Sequence, residues 1–441
     1  MERAVVVGGG LAGLVAARHL AERDVAVTLL ERRPSVGGRV RTRHEDGFTF
    51  DRGFQVLLTG YPAVGRELDV EALDLRRFAP GACIARPGRR SVLSDPFRDP
   101  TALTESAFNT EVTVRDKLRT LLLRRKLSKR SWEAIPGERE TTVREYLRRR
   151  GFSETFVENF AAPFYGGITL DRSLSTASRV FEYTFKALSS GRTAVPAEGM
   201  EAIPRQLRAN AERAGAGVET GSTVTEVAVA GAADRVEADG GTPPVTERPA
   251  DTEVRLAVGG ETLVADAVVV ATDPPTARDL TGVESVPTDG RSCVTQYYAL
   301  DRELGVGPRI VLNAADDRPN QVVPHTAAAP EYAPDGRTLL SATFLGRPDA
   351  DRETLAAETR TALGSWFPER SLSGFERLHT ARVPFAQFDQ PPGVHESLPD
   401  ARDPVGPVYL AGDYTRWSSI DGAMESGRDA ARAALADADL A

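Results

Sequence analysis

The chain has 441 residues, 41% hydrophobic and 27% charged, with a net charge of −8. That is a folded globular composition, too long for one ordinary hydrophobic core, so two domains sharing a boundary are expected. The negative charge argues against nucleic acid as a partner, because phosphate binding needs a positive field over the contact surface.

The opening residues read as strand (4–7), glycine turn (8–10), helix (11–22) and strand (26–30), a βαβ unit. A strand this early leaves no room for an export leader, and apolar runs such as 121–123 and 267–271 fall far short of the roughly 20 residues that span a bilayer. A cytoplasmic location is therefore expected. In the turn, Gly8 permits a tight bend, Gly10 lets backbone approach a pyrophosphate, and Gly13 allows close helix packing. The helix start at Leu11 and Ala12 offers free N–H groups and a positive dipole end to an anion. Glu31, ending the second strand, can accept hydrogen bonds from an adenosine ribose. Arg32 and Arg33 then lead to a second glycine turn, Val36-Gly37-Gly38-Arg39, whose cation suits a second phosphate and favours FAD over NAD.

Residues 69–199 look mainly helical. Within them, the basic stretch 117–130 carries Leu118, Leu121, Leu122 and Leu127. It reads either as a helix packing its leucines inward or as a peripheral membrane contact, and inward packing is the expectation. Strand patterns return at 218–229, 254–258 and 267–271, with a Gly- and Pro-rich surface insertion between 231 and 251. Strands at 295–300 and 338–344 and a helix at 353–366 follow. The tail gives a buried strand, 408–410, a loop, and a closing helix from about 422 to 436.

Cys83 and Cys293 lie far apart, and His19, His44, His325, His379 and His395 are scattered, so neither a disulfide framework nor a metal site is expected.

These motifs together resemble the flavin amine oxidase, carotenoid (phytoene) desaturase and protoporphyrinogen oxidase superfamily of FAD-dependent oxidoreductases. Gly38 and Arg39 match its glycine-arginine segment, whose arginine contacts FAD phosphate. Asp51-Arg52-Gly53-Phe54 is similar to the segment passing the flavin ring, and Thr223-Val224-Thr225 to a strand whose backbone meets adenine. Residues 268–275, with Ala271 and Thr272, resemble the family's apolar strand and following turn. Gly412-Asp413-Tyr414-Thr415, followed by Ala423, is similar to the plant and cyanobacterial carotene desaturase type. There the aspartate holds ribityl or phosphate oxygens, and Ala423 would begin the helix under the flavin.

The resemblance implies an α/β fold: a Rossmann-like FAD-binding domain, with a parallel sheet, helices and a β-meander, interleaved with a mixed-sheet and helical substrate domain. The expected division is 1–68, 200–290 and 404–441 for the cofactor, and 69–199 and 291–403 for the substrate. FAD would be bound non-covalently, and a hydride would pass from a substrate C–H bond to flavin N5. An apolar small molecule, as for carotenoid or isoprenoid desaturases, is the expected substrate. Amine oxidase-like and protoporphyrinogen oxidase-like enzymes are alternatives, as is a non-catalytic prenyl-lipid escort. Lys186 is the one candidate for the lysine many amine oxidases keep near N5. Phe54, Tyr165, Tyr297, Tyr298 and Trp417 are candidates to line the substrate space. Catalytic acid–base residues and the oligomeric state stay unassigned.

Overall fold

The computed structural model describes residues 1–94, 111–133, 135, 140–229 and 253–440; the insertion expected at 231–251 lies outside them. Strand β1 (Arg3–Val7) is valine-rich and buried at four of its five positions, as suits the centre of a parallel sheet covered on both faces. It pairs in parallel with β2 (Ala26–Glu31) and with Ala267–Val270. Gly217–Thr220 and Val408–Leu410 complete this five-stranded sheet at its two edges. Helix α1 (Leu11–Ala21) crosses the closing helix, Ile420–Asp437, so tightly that a Cβ at Gly427 would lie 2.1 Å from the Ala12 carbonyl oxygen.

The strand expected over 218–229 is two strands. After Thr220 pairs with Glu31, the chain turns at Gly221 (φ +76°), where Gly221 and Ser222 donate to the Arg33 and Glu31 carbonyls at 2.9 Å. Only then does Val224–Val229 enter an antiparallel meander with Val254–Val258 and Glu261–Ala265. The positive φ is what a continuous β pattern conceals.

A seven-stranded mixed sheet forms the second layer, in the order Glu376–Phe388, Gly290–Leu300, Thr338–Leu345, Gln321–Pro324, Ile310–Asn313, Ala82–Arg86, Arg89–Leu93. Its last two strands come from the stretch read as mainly helical. Arg89–Leu93 is an edge strand, where charged residues are ordinary and mask the β pattern. The core is continuous between the layers: Val6 and Leu14 belong to the same buried cluster as Tyr297, Val323 and Leu339.

The basic stretch is a helix, Val114–Ser128, begun by a capping box between Thr113 and Asp116. Inward packing holds for Leu127, joined by Leu123, but not for Leu118 and Leu122, which are 56% and 68% exposed. Asp116 and Thr120 occupy the remaining inward places, Asp116 accepting from Ser153, so the leucines out of register with them turn outward.

Candidate functional site

At the end of β1, Gly8 (φ +108°) sits where a Cβ would lie 2.6 Å from the Ala271 carbonyl oxygen, and a Cβ on Gly13 would lie 2.0 Å from that of Gly8. Turn, helix start and strand end therefore meet backbone to backbone. Gly10 differs, because a Cβ there would find nothing within 4 Å. It heads α1 without any side-chain cap, so the first-turn N–H groups keep no internal acceptor beside an open space.

Glu31 is buried, and its two carboxylate oxygens accept from the Gly9 N–H at 2.7 Å and the Arg33 N–H at 2.9 Å. It thus braces the glycine turn, in addition to lining the space where a ribose was expected. Arg32 reaches Asp273 at 3.0 Å, while the Arg33 guanidinium turns back to the Gly38 carbonyl. Arg39 donates to Asp413 at 2.5 Å and to the Ala386 carbonyl at 3.1 Å. Asp413 also accepts from Ser418 at 2.7 Å. One ion pair therefore ties the first forty residues to the C-terminal segment.

These groups border one cavity of about 1080 Å³, above the roughly 300–1,000 Å³ of a single small-molecule site. Of the expected residues, Gly8, Gly10, Leu11, Ala12, Glu31, Arg32, Gly38, Arg39, Gly53, Phe54, Val224, Ala271, Thr272, Gly412, Asp413 and Ala423 line it; Gly13 lies just behind. From there the cavity continues into an apolar arm along Phe156, Phe160 and Phe164. Their i, i+4, i+8 spacing falls on one face because Val157–Ala161 is π-helical, a wider turn that brings every fourth residue nearly into line. Phe160 and Phe164 stack at 5.1 Å. Sequence reading missed this arm, since a π turn has no simple sequence signature, and it missed Arg33 and Arg52, which line the cavity beside Arg39.

Tyr165 and Trp417 line the cavity as well, but Tyr297 and Tyr298 do not. Tyr297 donates to the Asp51 carbonyl at 2.7 Å, and Tyr298 to Thr359 at 3.0 Å, in separate core clusters. Lys186 lies over the Trp132 ring and donates to the Arg130 carbonyl, outside the cavity lining. Among the described residues no group of three or more His, Cys, Asp or Glu could hold a metal ion.

The closing helix begins at Ile420, two residues before the expected start, with Ser419 as its cap. The Gly422 N–H is taken by Ser419 Oγ at 2.8 Å and the Ala423 N–H by the Ser419 carbonyl at 3.0 Å. These two N–H groups are thus spent internally; Ser419, Ile420 and Ala423 are what face the cavity. Asp421 points the other way, accepting from the Ala63 N–H at 2.8 Å and from Tyr183, whose ring lies 4.2 Å from that of Trp417.

Burial pushes the Asp421 carboxyl up to about 6 from 3.8. A carboxyl raised in this way favours folding while it is neutral; that share is complete below about pH 4 and is lost as pH climbs through about 6. Asp421→Asn should therefore stabilise the protein by about 1–2 kcal/mol at pH 8 and by little at pH 4. Urea melts of both proteins from pH 4 to 8 test this; a difference that does not vary with pH would refute it.

The comparisons with known proteins converge on one group. A family model described as flavin containing amine oxidoreductase matches residues 11–435. The chain belongs to this family. Among its relatives, 15-cis-phytoene desaturase of an Oncidium hybrid is 23% identical over 99% of this chain and 78% of its own length. Protoporphyrinogen oxidase 2 of Arabidopsis thaliana is 30% identical, but over 38% of this chain and 32% of the plant protein. The crystal structure of an oxidoreductase from Methanosarcina mazei superposes with a TM-score of 0.72 at 19% identity, covering 97% of this chain and 99% of that one, and establishes the shared fold.

The lining fits the flavin that this amine oxidoreductase family carries. Besides the open ground at Gly10, two buried polar atoms in the lining, Trp417 Nε1 and Gln55 Oε1, have no hydrogen-bond partner. Positive charge from Arg33, Arg39 and Arg52, which also line the cavity, suits the diphosphate of a flavin dinucleotide.

Proposed function

We propose that the protein binds FAD non-covalently between Gly10, Glu31, Arg39 and Asp413, and oxidises an apolar, isoprenoid-like substrate held in the phenylalanine arm. When bound, the flavin supplies the hydride acceptor, its N5 atom. The chain's own contribution is to bind, orient and exclude water. Arg39 and the first turn of α1 neutralise the diphosphate, while Phe156, Phe160 and Phe164 replace solvent around a C–H bond. Cys293 lines the cavity, but burial pushes its thiol up to about 11; a protonated thiol is a poor nucleophile, which supports a non-covalent cofactor. We take residues 1–68, 200–290 and 404–441 as the cofactor-binding unit and the rest as the substrate unit.

The observation that carries this reading is the distribution of charge in the cavity. Among the described residues, its lining carboxylates are Glu31, Asp273 and Asp413, all at the glycine-turn end, so the described lining of the arm offers no anion to pair with an ammonium group. Together with the position of Lys186 outside the lining, this disfavours a cationic amine. A second reading, a tetrapyrrole substrate, draws support from Lys117, Arg124 and Arg192 along the same cavity, because cations suit propionate carboxylates.

The test is the visible spectrum of the purified protein, followed by anaerobic titration with carotenoid precursors, porphyrinogens and amines. Bleaching by polyenes alone is expected. Bleaching by porphyrinogens alone would select the second reading, and a colourless protein that takes up no FAD would overturn both.

A further inference from the structure

The seven-stranded sheet turns a short row of side chains toward the cavity. Gln321 opens the strand Gln321–Pro324 and pairs with Leu312 on one side and Thr343 on the other. Directly paired residues point to the same face of a sheet, and all three line the cavity. The helix Ala162–Thr169 stands against this row: a Cβ on Gly167 would lie 3.0 Å from Gln321 Oε1. Phe164 belongs to the same helix, so Gln321 sits at the phenylalanine-arm end of the cavity and not at the glycine-turn end.

A relay of hydrogen bonds fixes which way the Gln321 amide points. A guanidinium only donates, so Arg172, at 3.3 Å, makes Asn320 turn its oxygen toward it; the same guanidinium reaches the Asn313 carbonyl at 2.8 Å. Asn320 Nδ2 is left to donate to the Pro163 carbonyl at 2.9 Å and to Gln321 Oε1. The Gln321 oxygen is thereby occupied. Gln321 is only 3% exposed, and its amide N–H groups have no acceptor among the described residues. The hydroxyl of neighbouring Thr343 has only a 3.4 Å contact to Thr295.

An apolar arm is a poor place for an unpaired donor. Water serves the amide before substrate arrives, but a hydrocarbon that fills the arm expels that water and strands the donor, weakening its own binding about five- to a hundredfold. A ligand oxygen at this point removes the penalty. We propose that Gln321 is a specificity-determining residue that donates to a neutral oxygen, hydroxyl or carbonyl, on an otherwise apolar substrate. The proposal rests on the apolar-substrate reading above and narrows it from plain hydrocarbons to oxygenated ones. A carboxylate is the poorer match, because Arg172, the cation behind the amide, is occupied by Asn313 and Asn320 and does not line the cavity.

Calorimetric titration of the flavoprotein with geranylacetone, an isoprenoid ketone, and with farnesene, a hydrocarbon of similar size, tests the proposal. Gln321→Met keeps the length of the side chain and removes the amide. It should weaken geranylacetone about tenfold and leave farnesene bound as tightly or more so, with the flavin spectrum unchanged. A loss shared equally by both probes would overturn the proposal by making Gln321 a packing residue only, and so would no loss at all. The infrared carbonyl band of isotope-labelled geranylacetone bound to wild type reads the bond without any variant: it should lie below its position in hexane, and a band at the hexane position would overturn the assignment. Farnesene binding to wild type while geranylacetone does not would also overturn it and leave the apolar-substrate reading standing. If neither probe binds, that reading falls and this one with it.

Discussion

Replacing Gly10 with valine should leave the protein folded and strip it of flavin. The space beside Gly10 is open to 4 Å, so no protein atom opposes the added Cβ, and the melting temperature of the cofactor-free protein should fall only slightly, by the N-cap preference for glycine over valine. The valine methyls occupy the ground that a diphosphate needs to reach the first turn of α1. Overpacking of this kind costs about 1–3 kcal/mol, and more where nothing can shift, so affinity should fall by up to about a hundredfold or more. Fluorescence titration of the cofactor-free variant with FAD gives the number. Gly13→Val is the contrasting control: its Cβ would sit 2.0 Å from the Gly8 carbonyl oxygen, so that variant should fail to fold. A Gly10→Val protein that purified with stoichiometric flavin would refute the assignment of the phosphate site.

Asp413→Ala should produce the largest loss of stability among the charge variants. Its carboxylate side chain is 3% exposed and holds Arg39, 29% exposed, at 2.5 Å. Removing one partner of a buried pair leaves the other uncompensated, at a cost of about 3–5 kcal/mol; the partial exposure of Arg39 points to the lower figure. Ser418 loses its acceptor too. A double-mutant cycle with Arg39→Ala isolates the pair, and coupling below about 0.5 kcal/mol would show that the two ends of the chain are joined by packing alone.

How much of this was legible in the sequence depended on how local each signal was. The turn from Gly8 to Gly13, the acid at Glu31 and the cation at Arg39 are short-range patterns, and the structure gathers all of them at one cavity. The C-terminal Gly412 and Asp413 were equally readable as a motif. Their salt bridge to residue 39 was not, because nothing local encodes a partner 374 positions away. Tyr297 and Tyr298 failed as cavity residues because an aromatic pattern cannot distinguish a ring that faces a ligand from one that faces a core. The edge hairpin at residues 82–93 was hidden by its arginines, and the phenylalanine arm by its π turn. For the basic helix, the expected inward packing gave way because Asp116 and Thr120 took inward positions that only tertiary contacts specify.

The edge strand Val408–Leu410 and the crossing at Gly427 carry a consequence for biosynthesis. Until residues 408–427 have been made, the chain lacks the strand beside Ala267–Val270, the aspartate facing Arg39 and the helix lying across Ala12. The nucleotide cradle is incomplete until residue 427 is in place. A chain cut before residue 408 should therefore purify without flavin even though every residue of the N-terminal fingerprint is present.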